Sequence, residues 1–528
     1  MPSETRTGDT AFDPTQRRLL TLTLVPLFMS LLSVSIVNVI LPSVQADIGA
    51  SSSALQWVLS GYALAFGVVL VAAGRAGDVF GRAKLFIAGV VLFGAGSLVA
   101  GLAPTPLVLN LARVVMGLGS GLLNPQVIGL MQQYFSGTQR GRAFGIFGGI
   151  VGVSVAIGPV LGGLLISVLG AGAGWRASLL VNVPICLVAL IAAKPFLPAS
   201  AWEPVPEEHS TSTSSLPVVR RNGAGDGGAD GAGSGAGSSD GAGSGRPTRA
   251  GGAGASGRRR VDLDPVGLGL FGVAIFLVML PFVESSAGAW VWIALPVAAA
   301  LLVAWVRWER RYSARGGEPM VDMGLFRTRS FANGSLLIAL YFVGMTSVWV
   351  LIALYMQEGM GHTALAAGFI GLPSALASAI TAPLAGRKVV QVGRPMVLWG
   401  IGLVLTGILL SIGVVVLRES VGLSEWFLLG TMVFVGVGQG LVVSPNQTLT
   451  LADVPVRYAG AAGGVLQTGQ RVGTSIGIAA ITGVAFSVLA RTDWNMAVAV
   501  GFGLIAVIVV LAGLVGVRDQ RQARAERG

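Results

Sequence analysis

The chain has 528 residues, of which 53% are hydrophobic and 11% are charged, whereas about a quarter of the residues of an average soluble domain are charged. This composition excludes an ordinary water-soluble surface. The formal net charge of +11 would suggest nucleic acid in a soluble protein, but here the positions of the 35 Lys and Arg residues decide its meaning.

A polar segment, residues 1–18, precedes the first apolar run. That run is longer than the core of a signal peptide, which has about 7–15 residues, and it matches the roughly 20 residues that cross a bilayer core. We predict an all-α, polytopic membrane protein with fourteen transmembrane helices. Their approximate bounds are 19–41, 54–74, 84–103, 106–134, 142–168, 177–197, 265–283, 290–307, 331–356, 364–385, 395–417, 425–451, 460–489 and 495–517.

The spans form two groups of six, and the pair between them is the weakest part of the pattern. Pro281 and a short turn at 285–289 interrupt that pair, and without it the count would be twelve. The predicted divisions are a cytoplasmic N-terminus 1–18, an N-terminal six-helix half 19–197, a linker 198–262, two extra helices 263–308, a cytoplasmic loop 309–330, a C-terminal six-helix half 331–517 and a cytoplasmic C-terminus 518–528.

The linker is rich in Gly, Ala and Ser and has too few apolar residues to fold alone. We expect it to join the halves as a flexible segment, and a regulatory site is the alternative.

Basic residues test the predicted orientation because cytoplasmic loops are enriched in Lys and Arg. Arg176, Arg418 and Arg491 fall at predicted outer ends, and Arg113 and Arg471 fall within spans, which leaves 30 of the 35 on the cytoplasmic side. We therefore predict a multi-pass protein of the inner (plasma) membrane with both termini in the cytoplasm.

Cysteine and histidine are scarce. Cys186 lies in a predicted span, and His209 and His362 lie in different loops, so disulfides are excluded and no metal site is expected. The chain also lacks the Gly-x-x-x-x-Gly-Lys-Ser/Thr phosphate loop of an ATP-driven pump. We expect no cofactor, and a proton gradient as the energy source.

The chain repeats itself once. Gly74 and Gly81 after the second span are each followed by Arg, and the same pairs recur at Gly386 and Gly393 after the tenth span, 312 residues later in both cases. Two related halves around a central path are typical of secondary transporters, which bind substrate near the midplane between the repeats.

The loop from Gly74 to Lys84 must reverse direction within a few residues, and Gly74 and Gly81 permit such a turn. Asp78 and Arg82 are four residues apart and can pair with each other or with a helix end, which predicts a conformational latch. This loop resembles the one between spans two and three of the major facilitator superfamily.

The resemblance extends along most of the chain and is closest to the fourteen-span drug:proton antiporter branch of multidrug and antibiotic exporters. The matching segments are Arg113 to Gly119 in span four, Gly145 with Gly158-Pro159-Val160-Leu161-Gly162-Gly163 in span five, and Trp175-Arg176 with Asn182-Val183-Pro184. The resemblance implies two six-helix halves plus two extra helices, proton-coupled export of a drug or antibiotic, and an antiporter motif. That motif comprises Gly145, Gly158, Pro159, Gly162 and Gly163, for which plain helix packing is the alternative.

Two arginines lie deep in predicted spans, Arg113 about 10 Å and Arg471 about 18 Å from a span end. An ionised side chain at such a depth costs at least about 2.5–3.5 kcal/mol, so each should face a partner or a wet cavity. A structural arginine that joins two helices is the alternative. With their polar neighbours they predict a substrate path, which consists of Ser33, Asn38, Arg113, Asn124, Gln439, Asn446, Gln467 and Arg471.

One position departs from the family. The resemblance implies an aspartate in span one, but this chain has Ser33 at that position. No acidic residue lies in the middle of a predicted span. A path with two arginines and no carboxylate should favour neutral or anionic compounds over cations. Glu358, at the outer end of span nine, is the candidate proton carrier, and a solvated helix-end charge is the alternative.

Three other functions remain open at this point. A symporter or uniporter can use the same fold, and a regulatory membrane protein is a further possibility. A membrane enzyme would need clustered carboxylates or a nucleophile with its base, and neither pattern is visible, so we predict a transporter and not an enzyme. The expected partners are a small-molecule substrate, protons and the lipid bilayer, with no nucleic acid, and the expected state is a monomer.

Overall fold

The computed structural model describes residues 12–205, 264–283 and 288–525, and within these residues the chain forms fourteen α-helices. Their bounds are α1 Pro14–Ile48, α2 Ser52–Phe80, α3 Arg82–Gly101, α4 Pro106–Tyr134, α5 Gly137–Leu180, α6 Asn182–Phe196, α7 Pro265–Val283, α8 Ala294–Ala314, α9 Arg329–Leu354, α10 Ala364–Val392, α11 Arg394–Val421, α12 Leu428–Thr450, α13 Ala459–Leu489 and α14 Trp494–Ala525. The predicted all-α fold of fourteen helices is confirmed.

Thirteen segments of the described chain are long and apolar enough to cross a membrane, and one of them covers residues 137–196. Within it the backbone leaves helical geometry at Gly170, where φ is 80° and ψ is 166°. A left-handed φ costs a glycine little, so the chain bends there and returns toward α6. The segment therefore holds two crossings, and the sixth begins earlier than the predicted residue 177.

Several helices are longer than their hydrophobic cores predict. The eighth span was expected at 290–307, but a 3₁₀ turn occupies Ala289–Ile293 and α8 continues to Ala314. Hydropathy detects only the part of a helix that lies in hydrocarbon, whereas the backbone hydrogen bonds continue beyond it. The correction matters because Glu309, expected in a loop, belongs to α8 and is buried.

Helices α1–α6 pack against one another, as do α9–α14, and the two groups meet where α2 and α4 contact α13 and where α5 contacts α10 and α12. The hairpin of α7 and α8 packs on α2 and α13. Aromatic side chains such as Trp175, Phe86 and Tyr341 are fully enclosed. Of the predicted linker, only residues 198–205 are described, and the rest lies outside the described residues.

Candidate transport path and its closed end

Asp78, near the end of α2, joins the turn between α2 and α3 to the start of α13. Its Oδ1 accepts hydrogen bonds from Arg82 Nη2 (2.7 Å) and from the backbone N–H of Gly460 (3.2 Å). Its Oδ2 accepts from the N–H of Ala461 (3.1 Å). The first N–H groups of a helix have no partner within the helix and attract negative charge. One carboxylate therefore links helices that belong to different groups.

Arg82 extends this contact. Its guanidinium donates to the carbonyl oxygens of Gly129 (2.7 Å) and Val456 (2.6 Å), and only 1% of the residue is exposed. Gly81 precedes it with a φ of 105°, which lets the chain turn directly from α2 into α3. Asp78 and Arg82 thus form the interhelical contact that the latch hypothesis requires, and Gly81 provides the turn that precedes Arg82.

Two glycine crossings bring the groups together at the same end of the bundle. A Cβ on Gly74 would overlap the carbonyl oxygen of Gly460, and a Cβ on Gly460 would overlap that of Gly74. Gly141 and Gly386 meet in the same reciprocal way. Gly74 and Gly386 are the positions that the internal repeat relates. We call this region, with the Asp78 contacts, the closed end.

Arg113 and Arg471 lie against neighbouring aromatic rings of α2 in the interior of the bundle. The Arg113 guanidinium carbon is 4.4 Å from the centroid of the Tyr62 ring, and that of Arg471 is 4.3 Å from the Phe66 ring. The two rings are stacked, with centroids 6.1 Å apart. Arg113 also donates through Nε to the carbonyl oxygen of Val58 (3.0 Å). The structure therefore brings the two predicted arginines together across α2.

A buried polar network continues from Tyr62. Its hydroxyl donates to the carbonyl oxygen of Ser30 (3.0 Å) and lies 2.7 Å from the Ser120 hydroxyl. Asn124 donates through Nδ2 to the carbonyl oxygen of Ser120 (2.9 Å). Asn124 was predicted from its spacing to Arg113, and the hydroxyl groups that connect the two were missed. Ser120, one turn before Asn124 on the same face of α4, was the available signal.

Ser33 is buried, and its hydroxyl group faces the side-chain amide of Asn182. Asn182 Nδ2 lies 3.0 Å from Ser33 Oγ and 2.7 Å from Ser97 Oγ. The carbonyl oxygen of Ser33 lies 3.5 Å from Arg113 Nη1. Position 33 is therefore adjacent to Arg113, and Asn182, noted in the sequence only as part of a motif, contacts it directly.

The remaining predicted path residues lie elsewhere. Asn446 is buried with Arg394, at the start of α11, and donates to the carbonyl oxygen of Gly334 (3.0 Å). Gln467 precedes Arg471 by one turn, and its buried Oε1 accepts no hydrogen bond among the described residues. Gln439 is half-buried and Asn38 is exposed. The structure thus groups Ser33, Asn124, Arg113 and Arg471, and it leaves Asn446 in a separate cluster.

The glycines of the fifth helix have different neighbours. A Cβ on Gly158 would overlap Ser35 Oγ of α1, and a Cβ on Gly162 would lie 2.9 Å from Ile36. A Cβ on Gly163 would have no atom of another described helix within 4 Å. Pro159 lies inside the same helix. Gly145 approaches α10 instead, where its Cβ would lie 2.8 Å from the carbonyl oxygen of Ala382. The motif therefore holds α5 against both α1 and α10.

Glu358 lies in a short π-helical turn, Tyr355–Gly359, at the end of α9 and is exposed.

The described part of the chain has fourteen hydrophobic helices arranged around buried polar groups and joined tightly at one end, an arrangement that defines a multi-pass membrane transporter. The sequence model of the Major Facilitator Superfamily, a protein family, matches residues 24–283, 265–478 and 334–528 of the chain. The chain belongs to this superfamily, and its relatives place it in the drug-efflux family.

Among those relatives, the probable actinorhodin transporter of Streptomyces coelicolor is 30% identical over 87% of this chain and 71% of its own length. The puromycin resistance protein pur8 of Streptomyces alboniger is 28% identical over 92% of this chain and 85% of its own. The human organic anion transporter TETRAN has a TM-score of 0.60 at 14% identity, covering 96% of this chain and all of that one. The proton:xylose symporter XylE has a TM-score of 0.60 at 12% identity, covering 94% of each chain. These two structures indicate the fold alone.

Proposed function

We propose that this protein exports a small neutral or anionic organic molecule, such as a drug or antibiotic, across the plasma membrane in exchange for protons. The observation that carries the proposal is the pair of arginines on the stacked rings of Tyr62 and Phe66. Within the described helices, every acidic residue lies within two turns of a helix end. A substrate that enters between the helix groups therefore meets positive charge that no central carboxylate offsets.

The direction of transport follows from the relatives. The names of several describe resistance or export, as in the tetracenomycin C resistance and export protein of Streptomyces glaucescens. Resistance requires that a compound leave the cell. We infer the same direction here, with both termini in the cytoplasm and a monomer as the working unit.

Alternating access gives the closed end a role. We propose that it is the cytoplasmic end and that the Asp78 contacts with Arg82, Gly460 and Ala461 hold it shut while substrate leaves from the other side. Breaking these contacts would let α2 and α13 separate and admit substrate from the cytoplasm. A buried ion pair that loses one partner costs about 3–5 kcal/mol, which is enough to favour one conformation strongly.

The test is a transport panel in inverted vesicles with an imposed pH gradient, using neutral, anionic and cationic compounds. We expect uptake of anionic and neutral compounds into the vesicles, and in Arg471→Gln a fall of about tenfold for anions, which corresponds to about 1.4 kcal/mol. Neutral compounds should change less because they do not need the charge.

Arg471→Lys is the matched variant, because it keeps the charge and loses the planar stack on Phe66. It should keep most of the preference for anions. Transport of ethidium-type cations that is lost in Arg113→Gln would contradict the proposed substrate class. Substrate movement down its own gradient without any response to pH would indicate a uniporter, and movement in the same direction as protons would indicate a symporter.

A further inference from the structure

The α7–α8 hairpin packs along the seam where α2 meets α13. Met279 of α7 belongs to one buried apolar cluster with Val71 of α2, and Val465 and Val472 of α13 pack against that cluster. At the closed end, Arg75 of α2 pairs with Glu318 in the loop that follows α8. The hairpin therefore contacts both helices that separate when the closed end opens.

Two acidic residues face each other at the closed end of this hairpin, Asp264 just before α7 and Glu309 on α8. Both are completely buried. A Cβ on Gly267 would overlap Asp264 Oδ2 and would lie 2.8 Å from Glu309 Oε1, so the two carboxyl groups border the same small space. Asp264 Oδ1 accepts hydrogen bonds from Gly267 N (2.9 Å) and Trp308 Nε1 (2.8 Å), which fix its orientation.

Glu309 has no comparable support. Neither of its buried oxygens accepts a hydrogen bond of good geometry from the described residues. The Trp305 indole and the backbone of Met320 and Val321 face it, and among the described residues the charged group that faces it is Asp264. On the adjoining surface of α2 the nearby basic residue, Arg75, is engaged by Glu318, and α13 presents valines.

An ionised carboxylate in such a place is unfavourable. Enclosing a charge without hydrogen bonds costs several kcal/mol, and a second carboxylate close by adds repulsion. A proton on Glu309 removes both the cost of enclosing its charge and the repulsion from the facing carboxyl group.

We propose that Glu309 and Asp264 form a proton-binding site at the closed end, in which Glu309 carries the proton. Release of this proton to water leaves two facing carboxylates, which repel each other and draw water between α7, α8 and the loop at Met320. That change loosens the hairpin from the α2–α13 seam. The bound proton is independent of what the protein transports, whereas its coupling to export rests on the proposed function.

Infrared difference spectroscopy on the full chain in lipid vesicles tests the proton directly. Between mildly acidic and alkaline pH, we expect the carbonyl stretch of a protonated carboxylic acid to disappear in the wild type and to be absent from the start in Glu309→Gln. Glu203→Gln, which changes an exposed glutamate in the segment after α6, should keep the wild-type band. An unchanged band in folded Glu309→Gln would overturn the proton site.

Asp264→Asn provides a second measurement if Glu309→Gln does not fold. Removing the facing charge makes Glu309 easier to ionise, so its band should be lost at a lower pH than in the wild type. A band that titrates as in the wild type would show that the two groups do not interact, and the paired site would be wrong.

Coupling is tested separately, by the stimulation of export that an imposed pH gradient produces in inverted vesicles. We expect Glu309→Gln to reduce that stimulation about tenfold, a barrier change of about 1.4 kcal/mol, and Glu203→Gln to leave it unchanged. Stimulation that survives in Glu309→Gln but is lost in Glu358→Gln would assign coupling to Glu358 and overturn the proposed coupling through Glu309. A wild type that exports without any stimulation contradicts the proposed antiport, and the infrared band would still decide the proton site.

Discussion

Ser33 lies next to Arg113 in the interior of the bundle, so the side chain at position 33 affects the net charge around that arginine. The Ser33 carbonyl lies 3.5 Å from Arg113 Nη1, and its hydroxyl lies 3.0 Å from the Asn182 amide. A carboxylate at position 33 would accept a hydrogen bond from that amide, and its negative charge would lower the positive potential around Arg113. Opposite charges about 4 Å apart attract by about 4 kcal/mol at an effective dielectric constant of 20.

We therefore expect Ser33→Asp to change the selectivity of transport. Export of anionic compounds should fall by about tenfold, or about 1.4 kcal/mol, and transport of cations should rise, both measured in inverted vesicles. Ser33→Asn is the control, because it adds similar volume without charge and should leave the ratio of anion to cation transport near that of the wild type. A selectivity that is equal in Ser33→Asp and Ser33→Asn would show that Arg113 does not select by charge.

At this scale the sequence predicted some partners and missed others for a clear reason. The spacing of Arg113 and Asn124 along α4 placed both on one face, since helical periodicity is local. The stacking of Arg471 on Phe66 joins α13 to α2, and no spacing along the chain encodes such a contact. Glu309 was missed because hydropathy ended the eighth span at residue 307, whereas α8 continues to Ala314.

At the scale of helices, α5 is positioned by glycines that differ in what surrounds them. Gly158 approaches α1 so closely that a Cβ would overlap Ser35 Oγ, whereas a Cβ on Gly163 of the same helix would meet no other helix among the described residues within 4 Å. The motif therefore contains glycines that pack closely against another helix and a glycine that does not, although the sequence presents them as one unit. The position of a bend is equally hard to predict from the sequence. The chain contains 78 glycines, and the structure shows that the backbone bends at Gly170.

Alanine substitutions separate these two kinds of position. Gly158→Ala should destabilise the protein by about 1–3 kcal/mol, because the added methyl group forces α1 and α5 apart. Gly163→Ala should be neutral or stabilising by about 0.5–1 kcal/mol, because alanine is the better helix former and meets no neighbour. Thermal unfolding in detergent measures both. Equal melting temperatures for the two variants would contradict the close packing of α1 on α5.

For the molecule as a whole, the internal repeat predicted where the groups of helices meet. Gly74 and Gly386, related by the repeat, each form a reciprocal backbone crossing with a helix of the other group. The charged contact at the closed end has no such symmetry. The repeat relates Asp78 to Val390, which carries no charge, and the acid partner of Arg394 is Asp519 of α14. The fold of the halves followed from their pattern, but the asymmetry of the contact required the structure.

Because Asp78 is the acceptor that ties α13 to α2, its charge should control the opening of the closed end. Asp78→Asn keeps the shape of the side chain but leaves the buried Arg82 guanidinium without its anionic partner, a loss of about 3–5 kcal/mol. We expect the amides of Gly460 and Ala461 to exchange with deuterium at least about tenfold faster, as measured by mass spectrometry of the first turns of α13, with faster exchange also near Val456.

Asp493→Asn is the matched control. Asp493 also accepts from a helix N-terminus, the Met496 N–H of α14 (2.9 Å), but it is exposed, and asparagine caps a helix about as well as aspartate. Exchange in α13 should therefore stay at the wild-type rate in Asp493→Asn. If Asp78→Asn also leaves α13 unchanged while Gly74→Ala accelerates its exchange, then the glycine crossing and not the carboxylate holds the closed end together.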